Sequence, residues 1–267
     1  MQTDEKKILF IGAGNMGGAI LCALTESGYS AESVFFYEPS EEQANKIASR
    51  SKAQKITSFQ EEFSKADVVF LCVKPQVFKT MQFPKGQKNA IIVSIMAGVP
   101  IAALQKAFPD CEHIVRTMPN IAVVAKKGSV AIATDGVKED VLQAVEFIFS
   151  KCAATFRILE SQMNAVTGLS GSGPAFVFQF IEALAMGGVK MGLPRDTAMN
   201  LALSMVHGST EMLEKSKLNP GELTANVCSP AGTTIAGIQE LENKAFKGTI
   251  MSAVEAAAKR SKELGEN

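Results

Sequence analysis

The chain has 267 residues, 46% of them hydrophobic and 20% charged, with 27 Lys and Arg against 27 Asp and Glu. That is room for two small domains with a sizeable core, and it excludes a disordered chain. A formal charge of zero offers no basic surface, so neither a nucleic acid nor an anionic membrane is expected as a partner.

The short charged start runs directly into Ile8-Leu9-Phe10-Ile11, an apolar run that ends in glycines. The longest apolar stretch, 175–189, is interrupted by Gln179 and Glu182 and is shorter than the ~20 residues of a spanning helix. A soluble, cytoplasmic protein is expected. Helical spacing follows over 16–27, then a strand at 34–37 and a polar helix over 41–51. Further buried strands are predicted at 68–73, 91–94, 113–117, 129–133 and 155–157. Continuous apolar runs separated by helices predict a parallel, doubly wound α/β sheet covered on both faces. After about Glu160 no strand is predicted. Helices are expected over 174–191, 196–216 and 246–264, with another beginning at Thr233 or Thr234. Asn219, Pro220 and Glu222 have the spacing of a capping box with proline in the first turn. The reading is a dinucleotide-binding domain over 1–160 and an all-helical domain over 161–267. The helix at 174–191 is apolar nearly all round, which predicts burial against a second copy of the chain.

Gly12-Ala13-Gly14-Asn15-Met16-Gly17 reads G-x-G-x-x-G between a strand and a helix. In that context the first glycine allows the turn, the second admits a pyrophosphate, and the third lets helix and strand pack. The helix start, with Asn15 and Met16, offers its free N–H groups to phosphate. Glu38, followed by Pro39 and Ser40, stands where a carboxylate accepts from the ribose 2′-hydroxyl and repels a 2′-phosphate. These residues favour NADH over NADPH. Val73-Lys74-Pro75, Ala97-Gly98 and Asn120 fall at the same carboxyl edge of the sheet, where ligands bind.

The five cysteines are odd in number and widely spaced, with no C-x-x-C, so no disulfide framework and no metal site is expected. Neither His113 nor His207 is placed as a catalytic base. The candidates for chemistry are two stretches of small residues, Thr167–Ala175 and Ser229–Ile238. Each is expected to turn into a helix start with exposed N–H groups, suited to a carboxylate. Two N-cap turns needing glycine for geometry alone are the alternative.

"IGAGNMGGAI", "VKPQ", "MPN", "LSGSGPAFVF", "MGLPRDTA", "NVCSPAGTTIAGI" and "AVEAAAKRSKEL" together resemble pyrroline-5-carboxylate reductases from end to end. The resemblance implies reduction of 1-pyrroline-5-carboxylate to L-proline with NAD(P)H, on a Rossmann domain followed by a helical dimerisation domain, with dimers that assemble further, often to decamers. It implies that N–H groups around Gly232, Thr233 and Thr234 hold the substrate carboxylate. Thr234 matches the hydroxyl on the ring nitrogen, and Glu160 and Asn226 match other ligand-contacting positions. The family leans to NADPH, and Glu38 departs from its usual serine or asparagine with a basic neighbour. Ser58-Phe59-Gln60 replaces an asparagine often found near the adenosine. The competing readings are a hydroxyacid dehydrogenase of the 6-phosphogluconate type, a non-catalytic dinucleotide sensor, and turnover of a larger cyclic imine. The first would want a lysine in the "TGLSGSGP" turn, which has none.

Overall fold

Eight strands form one sheet in the computed structural model, which describes residues 6–86 and 88–266. They are β1 (Ile8–Ile11), β2 (Val34–Tyr37), β3 (Gln54–Ile56), β4 (Val68–Leu71), β5 (Ile91–Ser94), β6 (His113–Pro119), β7 (Gly128–Ala133) and β8 (Ala153–Ile158). Around them lie α1 (Asn15–Glu26), α2 (Glu41–Ser51), α3 (Gln60–Phe63), α4 (Pro75–Phe78), α5 (Ile101–Ala107) and α6 (Glu139–Phe149). The helices that follow are α7 (Met163–Val166), α8 (Gly173–Lys190), α9 (Arg195–Ser216), α10 (Pro220–Val227), α11 (Thr233–Asn243) and α12 (Phe246–Glu266).

The strand order is β3-β2-β1-β4-β5-β6-β7-β8, and its first six members have the Rossmann order. Successive residues of β1 face opposite cores. Ile8 and Phe10 pack with Val68, Phe70 and Phe149, whereas Leu9 and Ile11 pack with Val69, Leu71 and Phe63. The Phe10 and Phe70 rings stack with centroids 4.6 Å apart. Strands buried on both faces need apolar residues at every position, which is why β1 and β4 read as unbroken hydrophobic runs.

Two findings differ from the sequence expectation. The sheet is mixed, because β7 runs antiparallel to β6. Only residues 120–127 link the two, and a parallel crossover needs a dozen or more. Second, Thr167–Gly171 is not a turn before a helix. It is a π-helical segment that continues α7, with the Ser172 N–H donating to the Thr167 carbonyl at 2.9 Å. Its amides are therefore taken up within the helix, and the expected row of exposed N–H groups is absent there. The strand β3 and the helices α3 to α7 are additions to the predicted elements.

The chain divides into two compact units, one holding the chain to Ser172 together with everything from Ala256 on, the other Gly173–Glu255. The helical residues Glu160–Gly171 thus stay with the sheet. In the second unit α8 packs on α9 through Ala185, Ala198 and Ala202. A Cβ on Gly188 would lie 3.1 Å from that of Ala198, so the small residues set the approach. Much of the rest of α8 is exposed, with Phe178 63% and Met186 60% accessible. By length and composition alone, the helical run Glu160–Lys190 is long and apolar enough to cross a membrane.

Candidate active site

The register of the sheet brings the site together. Tyr37, Ile11, Leu71, Ser94 and Arg116 form one row across β2, β1, β4, β5 and β6. The residues just beyond that row are Glu38, the glycine loop, Val73-Lys74-Pro75, Ala97-Gly98 and Asn120. Segments more than a hundred residues apart in sequence therefore share one edge, because four parallel pairings keep the same register.

Each glycine of the loop has a separate reason. Gly12 sits at φ +92°, and a Cβ there would lie 2.8 Å from the Cys72 carbonyl oxygen. At Gly17 a Cβ would meet the Gly12 carbonyl oxygen at 2.5 Å and the Cys72 side chain at 2.7 Å, so helix and strand touch through this position. Nothing lies within 4 Å of a Cβ placed on Gly14. Gly14 is the N-cap of α1, with no side-chain cap and no acidic residue in the first turn. The N–H groups of Asn15, Met16 and Gly17 have no acceptor inside a helix that begins at Asn15. An uncapped positive pole beside open space fits the pyrophosphate of a dinucleotide.

The Glu38 carboxylate accepts from the Ala13 N–H at 2.9 Å and the Ser40 N–H at 3.1 Å. Those two bonds hold it at the end of β2, against the loop. Ser40 caps α2 by accepting from the Gln43 N–H, and the Gln43 side chain donates to the Ala13 carbonyl at 2.9 Å. Pro39 is exposed between them. Lys74 is exposed and caps α4 through its carbonyl, with Val73 and Pro75 half-buried on either side. Gly98 takes φ +75°. Asn120 accepts from the Ser129 N–H at 3.1 Å and donates to the Ser170 hydroxyl at 3.4 Å.

The second cluster belongs to the helical unit. Ser229, Pro230, Ala231 and Gly232 form a turn closed by the Gly232 N–H on the Ser229 carbonyl at 3.0 Å, with Ala231 at φ +56°. Gly232 then caps α11, which begins at Thr233 with no side-chain cap and no acidic residue in its first turn. Thr234 is half-buried, while Thr233 and Asn226, the latter at the end of α10, are exposed. As the sequence predicts, Asn219 and Glu222 form a reciprocal capping box at the start of α10, an arrangement worth about 1 kcal/mol.

Glu160, which the resemblance places among substrate contacts, is held within the sheet unit. Its carboxylate faces into the sheet unit and accepts from the Ile101 N–H at 2.7 Å and from Arg116 Nη1 at 3.2 Å. Arg116 itself carried no functional signal beyond being a lone charge in the apolar run "HIVRTMP".

The pyrroline-5-carboxylate reductase of Synechocystis is 40% identical over 260 residues, covering 96% of this chain and 97% of that protein. That of Arabidopsis thaliana is also 40% identical, covering 99% and 97%. A family model described as pyrroline-5-carboxylate reductase dimerisation matches residues 160–264. The chain belongs to the pyrroline-5-carboxylate reductase family. A second model, described as NADP oxidoreductase, coenzyme F420-dependent, matches residues 7–98, the span that carries the glycine loop. Among solved pyrroline-5-carboxylate reductases, the NADP-bound crystal structure from Plasmodium falciparum is 32% identical, has a TM-score of 0.86, and covers 98% of this chain and 99% of its own. Membership of this family gives the protein a nicotinamide cofactor and a small-molecule substrate. The likeness to this family is not matched by a lysine in the Thr167–Gly171 segment, as a 6-phosphogluconate-type enzyme would want.

Proposed function

We propose that this protein reduces 1-pyrroline-5-carboxylate to L-proline, the last step of proline biosynthesis, as a soluble cytoplasmic enzyme. The observation that carries the reading is the uncapped start of α11 at Gly232-Thr233-Thr234, reached through a turn of small residues, in a chain whose other uncapped glycine helix start is built for a pyrophosphate.

Gly12, Ala13, Gly14, Asn15 and Met16 would hold the pyrophosphate. Glu38, with Pro39 and Ser40, would meet the adenosine ribose. Val73, Lys74, Pro75, Ala97, Gly98 and Asn120 would line the rest of the dinucleotide. When bound, a reduced nicotinamide supplies the hydride. The chain supplies binding and orientation. The N–H groups that follow Gly232, those of Thr233 and Thr234, hold the substrate carboxylate, with Asn226 beside them, while the Gly232 N–H closes the turn on Ser229. The Thr234 hydroxyl hydrogen-bonds the ring nitrogen, its oxygen accepting from the N–H of the protonated imine. A protonated imine is already electrophilic, so no strong acid or base is required, and positioning supplies most of the rate. Glu160 is left out of this set because its Oε1 is tied to Ile101 and Arg116 within the sheet unit.

The exposed apolar side of α8 lies within the residues matched by the dimerisation model. A second copy of the chain is proposed to cover it, and the substrate cluster of one subunit then serves the dinucleotide cluster of its partner. Assembly of such dimers to a decamer follows only from the family resemblance. The test is a cofactor-oxidation assay with 1-pyrroline-5-carboxylate in which proline is identified as product. Oxidation coupled to proline formation supports the reading. Tight dinucleotide binding with no imine reduction would replace it with a sensor.

A further inference from the structure

Glu160 stands where β8 gives way to helix. Besides accepting from Ile101 and Arg116, it donates its own N–H to Asp135 Oδ2 at 2.6 Å. Arg116 is 5% exposed, and its buried Nε has no hydrogen-bond partner among the described residues. Burial pulls the Arg116 guanidinium below its usual range, and Glu160 opposes that pull. A buried guanidinium facing a single carboxylate is not a good device for stability, since two apolar residues of similar volume would serve as well or better. Its use lies in where the three joined segments lead.

Ile101 is the first residue of α5, directly after the loop that carries Ala97 and Gly98. Arg116 precedes Thr117, whose hydroxyl donates to the Ser94 carbonyl at 3.0 Å, and leads on to Asn120. Glu160 opens the helical run that reaches Ser170, the partner of Asn120. In the same run a Cβ on Gly171 would lie 2.7 Å from the Met118 methyl. One carboxylate thus ties the loop, the strand end and the helix that together carry Ala97, Gly98 and Asn120.

We infer that half-buried Glu160 and buried Arg116 form a positioning pair for this edge of the dinucleotide site, and that neither touches substrate. The inference rests on the dinucleotide reading above. Groups held within about 0.5 Å of their working geometry need such a supporting shell.

The experiment compares Glu160→Gln, Arg116→Met and the double variant, reading melting temperature, NADH and NADPH affinity by fluorescence titration, and KM for 1-pyrroline-5-carboxylate. Glu160→Gln leaves the buried Arg116 without its counter-charge, and Arg116→Met leaves the half-buried Glu160 without its own. Each single change therefore acts on the pair. It is expected to lower the melting temperature and weaken dinucleotide binding about tenfold or more. The double variant is expected to regain melting temperature but not dinucleotide affinity, with KM for the imine unchanged at saturating cofactor. Affinity that recovers together with melting temperature would reduce the pair to a structural role. A raised KM for the imine with intact dinucleotide affinity would make Glu160 a substrate contact. No change in either readout would also overturn the proposal. Should Arg116→Met not fold, Arg116→Lys keeps the charge but not the fork, and is expected to weaken dinucleotide binding with a smaller thermal loss. Wild type that binds dinucleotide yet reduces no imine would remove the proposed function while leaving the titration able to judge the pair.

Discussion

Gly98 and Gly265 meet backbone to backbone. A Cβ on Gly265 would run into the Gly98 carbonyl oxygen, and one on Gly98 would lie 3.1 Å from the Gly265 nitrogen. The end of α12 therefore rests on the loop after β5, and Ser261 anchors the same helix by donating to the Asn164 side chain at 2.9 Å. Gly265→Ala must displace one backbone or the other. It is expected to weaken dinucleotide binding several-fold with only a small loss of stability, because Gly265 is exposed. Gly98→Ala adds the cost of a left-handed residue with a side chain and should lose about 1–3 kcal/mol. Thermal melts and a dinucleotide titration distinguish the two. Unchanged affinity in Gly265→Ala would show that the contact does not constrain the loop.

Glu38 is held against Ala13 by a hydrogen bond at the end of β2, where the proposed site would meet the adenosine ribose. Wild type is expected to prefer NADH by kcat/KM. Glu38→Ser should move that ratio toward NADPH by about tenfold or more, since a like charge directly opposite costs at least 1.4 kcal/mol. Preference of wild type for NADPH would mean that the carboxylate turns away from the ribose when the dinucleotide binds.

Thr234→Ala removes the proposed acceptor for the ring N–H of the protonated imine. A hydrogen bond to a charged group is worth about 1.5–3 kcal/mol, so kcat should fall roughly 10- to 100-fold, more than KM changes. Thr234→Ser keeps the hydroxyl and should retain most activity. Equal losses in both variants would assign Thr234 to packing.

Phe178 is the large aromatic most exposed on α8. Phe178→Asp places a charge in the proposed subunit interface and should give monomers by light scattering. Those monomers should still bind dinucleotide but should reduce no imine. An active monomer would sink the shared-site proposal.

Glu26 joins three elements of the sheet unit. It pairs with Arg50 at 2.7 Å and Lys126 at 2.8 Å, and the Arg50 hydrogen bond, then that of Lys126, lowers its carboxyl from about 4.5 to about 2. A carboxyl lowered by folding stabilises fully above its unfolded value, and the contribution is lost as pH falls through the folded one. The stability gap between wild type and Glu26→Gln should therefore be constant from pH 8 to about 5 and close as pH approaches 2. Exposed arginine and lysine partners keep that gap small. A gap that widens in acid would refute the assignment.

What could be read from the residues alone was local in origin. The glycine loop, the start of α2 at Ser40, the capping box of Asn219 and Glu222, and the start of α11 at Thr233 each depend on dihedral preference or capping within a few residues. The apolar face of α8, with no core in its own half large enough to cover it, likewise predicted a second subunit. Tertiary structure decided the rest. The antiparallel turn of β7 follows from the length of its connection, and the π-helical form of Thr167–Gly171 from packing that propensity does not report. Glu160 lies 59 residues from Ile101 and 44 from Arg116, so its partners were set by strand register. Gly98 and Gly265 share no local signal, because a contact without side chains leaves nothing in composition or periodicity to mark it.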